Sequence, residues 1–176
     1  MEKRKVLGVF QNKEEAISTV HDLKSIGYRN DEISVIAKNL DSLDASGDGE
    51  KLRIQDPEDR SKFIGGLATG GILGGIGALL LELGVFTIPG IGPIIAIGPI
   101  AATLGGLVTG GTLGGIVGSL VEAGVHQEAA EVCEGYVERG DILMVVDTKD
   151  PDTEEKVLNV FYKNNSLVRD EYNINK

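Results

Sequence analysis

The chain has 176 residues, 25% of them charged and 41% hydrophobic, with a formal net charge of −10. That apolar content excludes a disordered acidic tail, and the acidic balance excludes a protein that coats nucleic acid or anionic lipid by charge. A single Cys, Cys133, excludes a disulfide framework and a Cys-based zinc cluster, and fits a reducing compartment. The start, MEKRKVLGVF, has too short an apolar run for a signal peptide, so a cytoplasmic domain is expected.

In chain order, residues 5–10 form a short β-branched run that predicts a strand. Asn12, with Glu15 three residues on, predicts a capping box. Ala16, Val20, Leu23 and Ile26 then recur at helical spacing, and Gly27 stands where the helix should end. ISVIA at 33–37 is the second strand. Residues 39–62 are a polar, acidic linker.

Residues 63–121 then hold one charged residue, Glu82. Beyond them a helix is expected over 126–139, closed by Gly140. A strand over 142–146 follows, apolar enough to be buried on both faces. Asp152 or Thr153 can cap the next helix, which turns Val157, Leu158 and Phe161 inward, and 167–170 can form an edge strand.

Without the middle, the order is β-α-β, helix, β-α-β. It predicts an α+β fold, a ferredoxin-like sandwich with a four-stranded antiparallel sheet and both crossover helices on one face. The domain halves are 1–38 and 125–176, with 63–124 an excursion between them. Excising the excursion is expected to leave a folded domain.

Residues 63–124 hold 19 of the 25 glycines. GGLATGGILGGIG at 65–77 returns as GGLVTGGTLGGIV at 105–117, and IGPI occurs at 91–94 and again at 97–100. Gly66, Gly70 and Gly74 are spaced by four, as are Gly71 and Gly75. Gly106, Gly110, Gly114 and Gly118 repeat that spacing beside Gly111 and Gly115. Such spacing lines one side of a helix with a bare strip, the small-xxx-small pattern that lets helices pack closely. In water each interior Gly costs about 1 kcal/mol against Ala, which favours lipid or a buried assembly.

The candidates at 61–84 and 99–124 are each near the roughly 20 residues that span a bilayer. Pro89, Pro93 and Pro99 predict the turn of a helical hairpin between them. Arg60 and Lys62 at its base place both ends in the cytoplasm. Burial of the hairpin in a soluble oligomer is the alternative. Glycines on more than one face of each copy leave a strip for a second chain, so a homo-oligomer is expected.

The stretch KVLGVFQNKEEAISTVHDLKSIGYRNDEISVIAKN resembles the N-terminal module of bacterial general stress proteins of the 17M / heat-induced YflT type. IPGIGPIIAIGPIAA and EGYVERGDILMVV are similar to segments of the wider group of general stress or low-temperature-induced proteins. The resemblance implies a stress-associated bacterial protein and brings no catalytic residues with it.

The residues themselves point to no reaction. The glycines lie within apolar repeats, without the strand–GxGxxG–helix context or a GxxxxGK[ST] loop that a nucleotide needs. His21 reads as a surface residue and His126 as a helix-start residue, too few ligands for a metal. Asp41, Asp44, Asp48 and Glu50 lack EF-hand spacing and read as solvated linker. Cys133 has no basic neighbour and reads as a buried thiol. Glu82, alone in its span, reads as an interfacial helix-end acid.

The expectation is a non-enzymatic stress protein without cofactor, metal or nucleic-acid partner. Its glycine-zipper hairpin inserts in the membrane or drives homo-oligomerisation. The alternative is a soluble ligand-binding or regulatory α/β module with the hairpin buried in an oligomer.

Overall fold

A computed structural model describes residues 4–38, 84–88, 91–107 and 115–168. The elements in order are β1 (Arg4–Phe10), α1 (Lys13–Ser25), a 3-10 turn (Asn30–Glu32), β2 (Ile33–Ala37), β3 (Gly84–Ile88), β4 (Gly92–Ile97), α2 (Pro99–Leu107), α3 (Gly115–Glu122), α4 (Gln127–Glu138), β5 (Ile142–Thr148) and α5 (Pro151–Lys163). The expected fold class, α+β with an antiparallel sheet, is observed.

The sheet runs β1-β5-β2-β4-β3 with every pair antiparallel. β5 inserts between β1 and β2, which are therefore parallel: Leu7 faces Val145 on one side, and Val35 faces Met144 on the other. This is a split βαβ unit. The expected four strands are corrected to five, because the Gly-rich segment adds β4 and β3 beyond β2. The edge strand expected at 167–170 is not a strand among the described residues. The chain there runs beside β1, where Leu167 N–H donates to the Val9 carbonyl and Val9 N–H to the Ser166 hydroxyl.

Both faces of the sheet are buried, which is why VLGVF, ISVIA and ILMVV read as nearly continuous apolar runs. One face carries Val6, Phe10, Ile33, Val35, Met144 and Val146. α1 covers it with Ala16, Val20 and Leu23, and α5 with Val157 and Phe161. The two crossover helices thus share a face, as expected. Phe10 and Phe161 meet edge-on at 5.6 Å between ring centres, above Gly8. The other face carries Leu7, Val9, Ile36, Leu143 and Val145, covered by α2, α3 and α4.

That second layer corrects the helical hairpin. Within the span expected at 99–124, the described residues form two helices of nine and eight residues, packed against each other and the sheet. At about 1.5 Å per residue each is roughly 13 Å long, against a hydrocarbon core of about 30 Å. No helix among the described residues is long and apolar enough to cross a membrane. Where the hairpin's turn was expected, β3 and β4 pair as antiparallel strands instead. The β-branched and aromatic residues of GVFTI and GPIIAI suit a strand better than a helix carrying this much Gly and Pro.

The ends of α1 and α5 are written next to them. The Asn12 carboxamide accepts from Glu15 N–H at 2.9 Å, the forward half of the expected box. α1 closes on Gly27 at φ +100, with Tyr28 N–H on the Leu23 carbonyl and Gly27 N–H on that of Lys24, a Schellman ending. α4 closes the same way at Gly140. The cap of α5 is Asp150, not Asp152 or Thr153. Its carboxylate accepts from Thr153 N–H, the Thr153 hydroxyl accepts from Asp150 N–H, and Pro151 opens the helix.

Candidate functional site

The predicted packing residues scatter. Gly66, Gly70, Gly71, Gly74, Gly75, Gly110, Gly111 and Gly114 lie outside the described residues, as do Pro89, Glu82, Asp41, Asp44, Asp48 and Glu50. Gly106 falls within α2. Gly118 is buried in α3. Gly115 opens α3 at φ +70, where an added Cβ would stand 3.0 Å from Ile88. At Gly115, closeness serves packing within the chain.

The prolines also separate. Pro93 sits in β4 opposite Thr87, outside the stretch of β4 that pairs with β2, so its missing N–H breaks no bond of that ladder. Pro99 is the first residue of α2. The second IGPI copy turns strand into helix at Gly98, whose φ is +83 and whose added Cβ would lie 2.2 Å from the Ile33 carbonyl oxygen. Having no side chain, Gly98 cannot cap α2. The buried Ser34 hydroxyl does so from β2, accepting from Ile100 N–H at 3.2 Å.

Cys133 lies in α4, 1% exposed, and burial pushes its thiol up to about 12. It is protonated at neutral pH and inert as a nucleophile. His21 is exposed in α1, and His126 is the residue before α4, its side chain making no capping bond. No metal-holding group of three or more His, Cys, Asp or Glu occurs among the described residues.

The concave surface lies elsewhere, between α1 and α5. A cleft of about 120 Å³ is lined by Ile26, Tyr28, Glu32, Asp147, Lys149 and Thr153. A shallower one of about 300 Å³ lies on the other side of Ile26, bounded by Asp22, Lys156, Asn159 and Lys163. Ile26 itself is 44% exposed, unusual for a large aliphatic side chain here.

The polar groups around these clefts satisfy one another. The Glu32 carboxylate meets Lys149 Nζ at 2.9 Å and accepts from Arg29 N–H, and both hold its carboxyl below the usual range. Asp22 accepts from the Asn164 amide at 2.9 Å and from Lys163 Nζ at 3.0 Å, which lower its carboxyl likewise. The Tyr28 hydroxyl is raised chiefly by burial, against a hydrogen bond with Thr153 that lowers it. Asp147 pairs with Lys5 directly across the β5/β1 ladder. These contacts tie α1 to α5, β1 to β5, and the 3-10 turn to the residue that follows β5. The sequence reading missed Tyr28, Glu32, Lys149 and Thr153 because they come from separate segments, with no shared spacing to announce them.

Fold and clefts define a small α+β sandwich domain in which Asp22, Glu32 and Asp147 are engaged in ion pairs between its elements. Residues 5–87 match the family model of the heat-induced stress protein YflT domain. The resemblance to the bacterial general stress protein family is thereby borne out over that span. The match covers β1, α1 and β2 and ends within β3; β5, which joins β1 to β2, lies beyond it. No curated protein and no solved structure matches the chain.

Proposed function

We propose that the protein serves the stress response without catalysing a reaction, by associating with further copies of itself through the layer that α2 and α3 form. Charge distribution carries this reading. α2 has no charged residue and α3 one, Glu122, whereas α1 and α5 have five each. Pro99 and Ala102 are exposed, and Ala101, Val117 and Val121 partly so. At a net charge of −10 two copies repel over most of their surface, and an uncharged patch is where they repel least. Sedimentation at micromolar concentration in detergent-free buffer is expected to give a dimer or larger species, and a strictly monomeric particle overturns the reading.

Membrane insertion has support only from the length and composition of 61–84, of which 61–83 lie outside the described residues. Recovery of the protein in carbonate-washed membranes would replace self-association with that reading. The clefts beside Ile26 support the alternative of a ligand-binding or regulatory module.

A further inference from the structure

We draw no further inference here: the strongest candidate, the pair of clefts on either side of Ile26 between α1 and α5, is an unpartnered surface whose polar groups are already engaged with one another, and nothing in the structure shows what covers it.

Discussion

The two helical layers are made by different means. α1 and α5 bring their own resources: a charged outer face, a cap one residue upstream in Asn12 or Asp150, and apolar positions at helical spacing. α2 and α3 draw theirs from elsewhere in the fold. Ser34 of β2 caps the first turn of α2, and the Glu134 carboxylate of α4 accepts from Val117 N–H at 3.0 Å in the first turn of α3. A carboxylate at that end also suits the helix dipole. Helices of the first kind are specified locally. Those of the second kind, short and rich in Gly, take their stability from the surface they cover.

The largest test of this contrast removes the second layer's foundation. Replacing 63–121 with a flexible linker takes away β3, β4, α2 and most of α3. The sequence alone predicted a folded remainder; the structure predicts otherwise. Leu7, Val9, Ile36, Leu143 and Val145 would keep only the cover of α4. Each large apolar side chain returned to water costs about 1.5–3 kcal/mol, against a total stability of about 5–15 kcal/mol for a domain. Calorimetry is expected to show no cooperative melt. A sharp transition would mean that the first layer suffices.

A finer test compares the two IGPI copies. At Gly98 a methyl group would strike the Ile33 carbonyl oxygen in a backbone conformation that L side chains rarely adopt. Gly98→Ala should cost about 3 kcal/mol or more. Gly92 has φ +96 and nothing within 4 Å of an added Cβ. Gly92→Ala should therefore lose only the left-handed penalty, about 1–2 kcal/mol. Urea unfolding of the two variants reads the difference, and equal losses would show that the strand-to-helix corner is not tight.

The corresponding test in the first layer is Gly8→Ala. Its Cβ would fall 2.6 Å from the Phe161 ring. Phe161 is buried and packed on Phe10, so the ring has little room to retreat. A loss of about 1–3 kcal/mol is expected. Adding Phe161→Leu should recover part of it, and a double mutant no better than the sum of the singles would place the strain elsewhere.

The smallest effect concerns the charges of the first layer. The folded-state values of Asp22 and Glu32 lie below their usual 3.8 and 4.5. Their stabilisation is therefore complete above the usual values and lost as pH falls through the lower folded ones. Asp141, raised by burial, has the opposite sign and regains stability over the acid range. Thermal midpoints should drop below about pH 4.5, with a shallower drop in Asp22→Asn. An unchanged slope in that variant would show that the contact of Asp22 with Lys163 and Asn164 carries none of the acid sensitivity.

Local chemistry determined much of this protein. Short apolar, β-branched runs marked β1 and β2, Asn12 and Gly27 bounded α1, Gly140 ended α4, and the apolar run of β5 signalled burial on both faces. These signals need only neighbours in sequence, because capping, left-handed turns and amphipathic spacing act within a few residues. Tertiary structure alone decided the fate of 84–122. Up to Glu122 its residues carry no charge to mark an outer face, and its Gly and Pro weaken every local preference, so the same letters suit a membrane hairpin or a pair of strands with two short helices. The surface offered by Leu7, Val9, Leu143 and Val145, and the caps supplied by Ser34 and Glu134, decide between them. So too the clefts beside Ile26 gather side chains that only the strand order brings together. Contacts between residues far apart in the chain have no period for a sequence reading to detect.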